Sequence, residues 1–383
     1  MTSMDEYNRK LHEQMAQLDE TDREIARLLD KRLRQSEEIA KLRISSGNKL
    51  FDKTAEAEKL SAIRAMAGGA FEAHAAEELF THLFAIGRKK QYRLLHEMGA
   101  AGRLPFIEVD DLERENVRVV FQGVEGAYSH AAMCSFFGDD VNSFHVRTWR
   151  EAMEAIADGE ADYAVLPIEN SSAGIVGDNF DLLVDFENYI VAEQVIRCEH
   201  VLMGLPGVSI DEITEVYSHP QALAQCARFL DEHMQWRQVP FDNTALAARK
   251  VAEDGIRTRA AIGSRFAAER FGLAVLAEHI YFNEANSTRF IIATNQRIFQ
   301  KDASRISICF ETPHRSGSLY SILSHIIYND LNMQRIESRP IAGRNWEYRF
   351  FVDFDGNLNS SSVKSALRGI RAEAINMKIL GNY

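Results

Sequence analysis

Residues 4–97 have an all-helical pattern, and one largely apolar stripe within them, interrupted by polar residues, recurs at alternating steps of three and four, which is the spacing of a helical seam. The stripe runs through Met15, Leu18, Asp22, Ile25, Leu29, Arg32, Ser36, Ile39 and Arg43. Proline is absent before Pro105, and the segment Ser45-Ser46-Gly47-Asn48 supplies a helix end. The pattern therefore predicts a first helix of about 40 residues.

Two shorter helices are predicted after it, over residues 53–66 and about 70–97. The second has one face formed by Phe80, Phe84, Gly87, Gln91 and Leu94. A helix of about 40 residues is about 60 Å long, and two short helices cannot cover that length within one subunit. The sequence therefore predicts that residues 1–98 form an all-helical dimerisation domain.

Short β-rich runs alternate with helical stretches beyond a predicted linker at residues 99–115. The runs are Val117–Phe121, Tyr163–Leu166, Ile190–Val195, Val201–Met203, Glu215–Tyr217, Ala260–Ile262 and Phe290–Ala293. The helical stretches include residues 149–158, 221–232 and 244–254. This alternation indicates an α/β layer architecture, and we expect it to span residues 116–296.

The last region, residues 304–383, has a different order of elements. It reads as strand Arg305–Glu311, helix Gly317–Asp330, strands Met333–Arg339 and Tyr348–Asp355, and helix Ser361–Ile375. The order predicts a small α+β sandwich, with a short last strand around Met377–Leu380.

The composition argues against a nucleic-acid-binding protein and against a membrane protein. Hydrophobic residues make up 46% and charged residues 26%, as in ordinary globular proteins. The net charge of −12 argues against a nucleic-acid partner, which requires a basic surface. The start, Met1-Thr2-Ser3-Met4-Asp5-Glu6, lacks a signal pattern, and no run approaches about 20 apolar residues. We expect a cytoplasmic protein without a membrane partner.

The four cysteines are Cys134, Cys198, Cys226 and Cys309. No two of them form a CxxC pair, and no Cys/His cluster has zinc spacing. We expect reduced, scattered thiols and no metal site.

Polar and glycine-rich segments fall at the predicted strand ends, where ligand sites of open α/β sheets collect. The segments are Phe121–Ser129, Pro167–Gly174, Tyr217–Gln221 and Asn286–Phe290. In the last of them, Thr288 lies beside Arg289. A hydroxyl next to a fixed cation can hold a small carboxylate and donate to a leaving group.

Taken singly, these residues also have ordinary structural interpretations. Asn170 and Ser171 suit a helix cap, as does Thr244. Ser218 precedes His219-Pro220-Gln221, which is typical of a turn into a helix with proline near its first position. Thr244 can equally begin a helix whose N–H groups face an anion.

In this order, the four segments resemble the prephenate dehydratase family, from Val117 to about Thr294. The resemblance implies two lobes with a cleft between them, similar to a periplasmic-binding-protein core. It implies conversion of prephenate to phenylpyruvate with loss of water and CO₂, without a metal or cofactor. The barrier is departure of hydroxide, which needs a proton or strong hydrogen bonds.

The resemblance also implies roles for individual residues. Thr288 would donate to the departing hydroxyl, and Arg289 would hold a carboxylate. The other expected site residues, which would orient substrate or support the site, are Asn170, Ser171, Ser218, Gln225, Glu169 and Thr244. Departures from the family pattern are Ala245, where a second small hydroxyl is common, and Gln122 beside the first glycine.

Two other functions stay open from sequence. One is a non-enzymatic sensor of an aromatic metabolite, which would not need a proton donor and is disfavoured by Thr288 beside Arg289. The other is arogenate dehydration, which one sequence does not separate from dehydration of prephenate.

The helical region resembles the all-helical chorismate mutase domain. The positions that carry remnants of that site are Arg32, Arg43, Asp52, Glu56 and Gln91. The departures are Met15 and Ala55 in place of arginines, Gly87 in place of a serine, and Arg43 in place of a lysine. The mutase reaction rearranges a dianion and needs cations on its carboxylates, so we expect this site to be degenerate. The alternatives are an active mutase with chorismate as second substrate, or polar groups that set register at a dimer seam.

The C-terminal region resembles the ACT regulatory domain. Its segments Gly317-Ser318-Leu319 and Glu337-Ser338-Arg339-Pro340 match motifs by which ACT domains of this family bind phenylalanine between subunits. Gly317 would allow close backbone approach at a helix N-terminus, which suits an amino-acid carboxylate. The resemblance implies a homodimer or tetramer inhibited by phenylalanine.

Overall fold

The computed structural model describes residues 3–48, 50–99, 104–283 and 285–383. Within the predicted linker, residues 100–103 lie outside the described residues. In the part of the chain that the structure describes, no helix is long and apolar enough to cross a membrane.

Three helices form the N-terminal region, as predicted. They are α1 (Ser3–Ser45), α2 (Lys53–Ala65) and α3 (Ala70–Glu97). Asp52 caps α2, because its side chain accepts the backbone N–H of Ala55. α3 packs along both other helices, and a small core gathers around Ala40, Leu50 and Tyr92.

The N-terminal half of α1 has no covering element within the described residues of the subunit. At 43 residues this helix is about 65 Å long, far longer than α3 with 28 residues. Its exposed apolar side chains are Met4, Tyr7, Leu11, Met15, Leu18, Ile25 and Leu28. Dimerisation along this stripe stays a prediction, and the exposed stripe is the feature that motivates it.

The chain then builds a first lobe whose elements alternate in type. They are β1 (Ile107–Val109), β2 (Arg118–Gln122), α4 (Tyr128–Phe137), β3 (Asn142–Val146), α5 (Trp149–Ala157), β4 (Tyr163–Asn170), β5 (Gly174–Ile175), α6 (Gly177–Asp185) and β6 (Tyr189–Arg197). Amphipathic α5 begins with a capping box between Thr148 and Glu151.

A second lobe follows without returning to the first sheet. Its elements are β7 (His200–Gly204), β8 (Glu215–Ser218), α7 (Pro220–Gln225), α8 (Ala227–Asp231), β9 (Arg237–Pro240), α9 (Thr244–Asp254), β10 (Arg259–Ser264), α10 (Arg265–Arg270) and β11 (Ala274–Ala277). The strand order is β11-β7-β10-β8-β9. The chain re-enters the first lobe through β12 (Ser287–Thr294) and β13 (Ile298–Gln300).

The C-terminal region has the predicted α+β order. Its elements are β14 (Arg305–Glu311), α11 (Ser318–Ile327), β15 (Met333–Pro340), β16 (Tyr348–Asp355), α12 (Ser361–Glu373) and β17 (Ile375–Asn382). The prediction of a short last strand was wrong, because β17 has eight residues and pairs with β14 along its length.

The predicted strands of the α/β region are all present, and the structure adds others between them. The additional strands are β1, β3, β5, β9, β11 and β13. The helix predicted over residues 221–232 is divided at Cys226 into α7 and α8. The segment predicted as a linker contributes β1, which pairs with β13 through Ile107 and Ile298.

The sheets of the first lobe and the C-terminal region are one sheet of ten strands. Its order is β15-β16-β14-β17-β6-β12-β4-β2-β3, with β5 paired to β4. The two parts join where Gly381 of β17 lies beside Ile190 of β6. Cys309, Phe351 and Leu380 are buried in the same apolar cluster as side chains of the first lobe. The C-terminal region is therefore packed onto the first lobe as a continuation of its core.

Replacement of Gly381 tests this junction. A Cβ added at Gly381 would lie 2.1 Å from the carbonyl oxygen of Ile190. Gly381→Ala should force β17 away from β6 and cost roughly 1–3 kcal/mol, as overpacking usually does. The measurement is the thermal unfolding midpoint. Gly68→Ala is the control, since no atom lies within 4 Å of that position. Equal midpoints for both variants and the wild type would contradict the close approach.

Candidate active site between the two lobes

A cavity of about 290 Å³ lies where the chain crosses between the lobes. Its walls come from both lobes and from both crossings, β6 to β7 and β11 to β12. The lining residues are Tyr128, Asn170, Ala173, Gly174, Ile175, Val176, Cys198, His200, His219, Gln221, Ala222, Gln225, Asn243, Thr244, Asn286 and Thr288.

Thr288 is placed in this cavity by the pairing of β12 with β4. In that register Thr288 lies opposite Asn170. The Asn170 Nδ2 donates to the Thr288 Oγ1 at 2.9 Å, and the Cys198 Sγ lies 3.2 Å from the same oxygen. Burial raises the pKa of the Cys198 thiol, so it stays protonated at neutral pH.

The Asn170 carboxamide is held in one orientation by the turn that follows it. Its Oδ1 accepts the backbone N–H groups of Ser172 at 3.0 Å and Ala173 at 2.8 Å. Since those donors are backbone amides, the Nδ2 group must face Thr288. The Thr288 oxygen therefore accepts one hydrogen bond, which polarises its O–H and leaves the hydrogen free to point elsewhere.

A line of polar side chains continues from Asn170 across the cavity. The Asn170 Nδ2 lies 3.0 Å from the Asn286 Oδ1, and the Asn286 Nδ2 lies 3.2 Å from the Gln225 Oε1. The same Gln225 oxygen lies 2.8 Å from the Nε2 of His200. The Nδ1 of His200 lies 3.0 Å from the Tyr128 hydroxyl.

Four members of this arrangement were not singled out from sequence as site residues: Tyr128, Cys198, His200 and Asn286. Tyr128 and Asn286 do lie within the polar segments noted above, so their segments signalled them. Cys198 and His200 follow β6 with no local motif, and only the crossing between lobes brings them to the cavity.

The described lining of the cavity contains neither lysine nor arginine. Positive potential comes instead from the start of α9, where Asn243 caps the helix by accepting the N–H of Leu246. The cap is therefore Asn243 and not Thr244, which is the first helical residue. The first N–H groups of a helix have no partner within it, and with the helix dipole they attract anions.

Arg289 faces away from the cavity, because successive side chains of a strand point to opposite faces. Its guanidinium pairs with Glu169 at 3.0 Å, Glu193 at 3.3 Å and Asp353 at 3.5 Å. Glu169 is thus also on the far side of the sheet, at the boundary with β16.

Two other predicted site residues bind backbone groups outside the lining. The hydroxyl of Ser218 is fully buried and donates to the carbonyl of Ile262, which ties β8 to β10. The hydroxyl of Ser171 donates to the carbonyl of Ala285 and accepts the N–H of Ser287. The structure therefore brings Asn170, Gln225, Thr244 and Thr288 together at the cavity. Glu169, Ser171, Ser218 and Arg289 are not among the described residues that line it, and the side chains of Glu169 and Arg289 pair on the opposite face of the sheet.

The polar residues predicted in the helical region make separate contacts. Arg32 donates to the carbonyl of Leu83 at 2.9 Å, and burial lowers its pKa. Arg43 donates to the carbonyl of Leu50, and Gln91 donates to that of Ser36 at 3.3 Å.

The carboxylates of the helical region have their own partners. Asp52 caps α2, and Glu56 pairs with Arg88 of α3. Arg88 also binds Glu373 of α12 at 2.7 Å, so Glu56 is connected to the C-terminal region.

A second cavity, of about 390 Å³, lies at the start of α11. The predicted effector residues Gly317, Ser318 and Leu319 line it, together with the exposed aromatic side chain of Trp346. Gly317 has a φ of 76°, a conformation that favours glycine.

The other predicted effector segment lies on β15. Glu337, Ser338, Arg339 and Pro340 belong to that strand, which is at the edge of the sheet and outside this lining. Arg339 binds Asp181 of α6 there.

Comparison with known proteins places these features in a family. The prephenate dehydratase family matches residues 119–297, and chorismate mutase type II matches residues 14–92. The bifunctional chorismate mutase/prephenate dehydratase of Escherichia coli K12 is 30% identical over 380 residues, which cover 97% of this chain and 95% of that protein.

Two solved structures are similar to the chain. The prephenate dehydratase from Arthrobacter aurescens in complex with L-Phe has 33% identity and a TM-score of 0.64, and covers 70% of this chain and 89% of its own. GqqA, described as a novel type of quorum quenching acylase, has 31% identity and a TM-score of 0.64, and covers 70% and 97%. Because the similarity to the Escherichia coli protein extends over nearly all of both chains, this chain belongs to the bifunctional chorismate mutase/prephenate dehydratase family.

Proposed function

We propose that the cavity between the lobes converts prephenate to phenylpyruvate. The observation that carries the proposal is the Thr288 hydroxyl, polarised by Asn170 in a cavity walled by both lobes. In this reaction the ring carboxylate leaves as CO₂ and its bonding electrons aromatise the ring. The C–O bond breaks, and the departing hydroxide gains a proton to become water.

Thr288 acts on the step that limits this reaction. Its O–H donates to the departing oxygen as negative charge develops there, which stabilises the transition state. Solvent supplies the net proton, because an alcohol is too weak an acid to be consumed.

The absence of lysine and arginine from the described lining suits a decarboxylation. A strong ion pair on the departing carboxylate would stabilise the ground state more than the transition state and would slow the step. The carboxylate of the pyruvyl side chain, which stays on the product, suits the N–H groups at the start of α9. Arg289 already has three carboxylate partners, and this supports a role in holding β12 to the C-terminal region.

Replacement of the Thr288 hydroxyl tests the dehydratase proposal. Thr288→Ala should lower kcat for phenylpyruvate formation by roughly 10²–10⁴, the usual contribution of one acid or hydrogen-bond donor. Ser287→Ala is the matched control, because it removes the neighbouring hydroxyl, which bonds only to a backbone carbonyl among the described contacts. A Thr288→Ala enzyme within a few-fold of the wild type would remove Thr288 from the mechanism. Arogenate, assayed beside prephenate, identifies the preferred substrate.

We propose that the helical domain is a chorismate mutase whose site has lost much of its activity. Met15 and Ala55 stand where the family has arginines, and each missing contact to a dianion costs about 2–4 kcal/mol. Arg9 and Arg34, which could replace them, are exposed and lie near Glu13 and Asp30 of their own helix.

Loss of the ultraviolet absorbance of chorismate measures this activity directly. The wild type should be slower than an intact mutase by roughly 10³-fold or more, from two missing contacts of that size. Restoring both arginines, in the double variant Met15→Arg/Ala55→Arg, should raise the rate. A normal wild-type rate that the double variant does not increase would contradict a degenerate site.

We also propose that phenylalanine binds at the cavity lined by Gly317, Ser318 and Leu319 and inhibits the dehydratase. The start of α11 suits the amino-acid carboxylate, and Trp346 and Tyr320 offer aromatic surface to its ring. The segment Glu337–Pro340 lies on an edge strand, and a second subunit could present it to this cavity. Such an arrangement requires at least a homodimer, which the exposed stripe on α1 also favours.

A change at the aromatic wall tests the effector site. In Trp346→Ala, the phenylalanine concentration for half-inhibition of the dehydratase should rise by roughly tenfold, since the variant loses aromatic contact area. Ile327→Ala is the control, because this exposed side chain of α11 is not in the lining. Equal sensitivity of the wild type and Trp346→Ala to phenylalanine would place the effector elsewhere.

A further inference from the structure

The imidazole of His200 is buried at the crossing between the lobes, with only 3% of the residue exposed. It is the first residue of β7, and it lines the cavity that also contains Thr288. The dehydration scheme above gives it no task, although both of its ring nitrogens have polar partners. Those partners, Tyr128 and Gln225, line the same cavity.

The direction of every hydrogen bond in this line follows from one backbone turn. The N–H groups of Ser172 and Ala173 fix the Asn170 oxygen, so the Asn170 Nδ2 donates to the Asn286 Oδ1. The Asn286 carboxamide must then present its Nδ2 to the Gln225 Oε1. A carboxamide oxygen can only accept, so the second atom that bonds to the Gln225 Oε1 has to be a donor as well.

That group is the Nε2 of His200, at 2.8 Å. In a neutral imidazole only one nitrogen carries hydrogen, so the Nδ1 is an acceptor and takes the Tyr128 O–H at 3.0 Å. Burial lowers the pKa of His200, against a smaller opposing effect of its bond to Gln225, and this favours the neutral ring. The geometry therefore selects one tautomer, with hydrogen on Nε2.

The line also joins the two lobes. Tyr128 belongs to α4 of the first lobe, whereas His200 and Gln225 belong to β7 and α7 of the second. Asn286 precedes β12 and returns the line to the first lobe, where it ends at Thr288.

We propose that His200 is a positioning residue for the dehydration. Through its Nε2–H it holds the Gln225 Oε1, which also accepts from Asn286, and so keeps the Gln225 carboxamide in one orientation at the wall of the cavity that contains Thr288. The expected effect on kcat rests on the proposed function, whereas the expected tautomer of His200 does not. His200 and Gln225 are thus a pair in the second lobe that is joined to the first lobe through Tyr128 and to Asn170 through Asn286.

Two variants of His200 separate a positioning role from simple packing. His200→Phe fills the space but cannot donate, and we expect kcat to fall roughly 10- to 100-fold with KM within about threefold, since small misplacements of a catalytic group have effects of this size. His200→Gln places an amide N–H near the position of Nε2 and should retain kcat within about fivefold of the wild type. Unfolding midpoints confirm that both variants fold.

An unchanged kcat in His200→Phe would overturn the proposal. So would a His200→Gln enzyme as slow as His200→Phe, because rescue by a retained donor is what packing alone does not provide. Tyr128→Phe keeps the Nε2 donor and should lose less activity than His200→Phe.

Long-range ¹H–¹⁵N spectra of the full-length protein labelled with ¹⁵N-histidine report the tautomer without any substrate. The signal that disappears in His200→Gln identifies His200 among the 12 histidines. We expect a neutral ring with hydrogen on Nε2, and a ring with hydrogen on Nδ1 would overturn the inference. If the wild type forms no phenylpyruvate, the proposed function fails, whereas the tautomer still decides whether the bond directions are correct.

Discussion

The hydrogen bond from Asn170 to Thr288 connects two neighbouring strands at the mouth of the cleft. It exists because β4 and β12 pair in a register that sets the two side chains opposite each other. Its direction comes from the turn after Asn170, whose N–H groups hold the carboxamide oxygen. A threonine is a weak acid, and in the proposed mechanism this oriented amide polarises its O–H. The remaining polar groups of the cleft take their orientation from the same amide.

The opposite face of β12 anchors that donor to the C-terminal region. Arg289 lies among three carboxylates, of which Asp353 is buried and also forms an ion pair with Arg335 at 2.9 Å. Charges removed from water are stable only when they are paired, so this cluster resists separation of β12 from β16. Because Thr288 and Arg289 are adjacent, one short segment contacts the cleft on one face and the C-terminal region on the other.

The helical domain is attached to the same C-terminal region through a buried polar contact. Arg88 of α3 bridges Glu56 and Glu373. Burial opposes ionisation of Glu373, yet the bonds from His325 and the charge of Arg88 lower the pKa of its carboxyl to about 2. Lys89 lies beside it, 3.1 Å from the hydroxyl of Ser324. The C-terminal region therefore contacts both other parts of the chain, and Arg88 connects it to Glu56, which was predicted from the sequence as a position of the mutase site.

Local pattern was sufficient to predict most elements of this fold. The heptad stripe predicted α1, and the alternation of runs predicted the main strands of both sheets, since helix and strand periods are properties of neighbouring residues. Short strands such as β3 and β9 were missed because they carry few apolar residues and form only by pairing with a longer neighbour. The full length of β17 was missed for a similar reason, because its last residues are stabilised by β14 and β6.

The residues of the candidate site likewise divide into those that the sequence indicated and those that only the tertiary structure brought together. Strand and helix ends indicated Asn170, Thr244 and Thr288, the family resemblance added Gln225, and all four line the cavity. Only the tertiary structure decided that the side chain of Arg289 lies behind the sheet, and that His200 reaches the cavity from the crossing between lobes. Sequence determines which residues share a local segment. The pairing of distant strands decides which faces of those segments meet. Donor and acceptor roles in the site are set only once those faces are in contact.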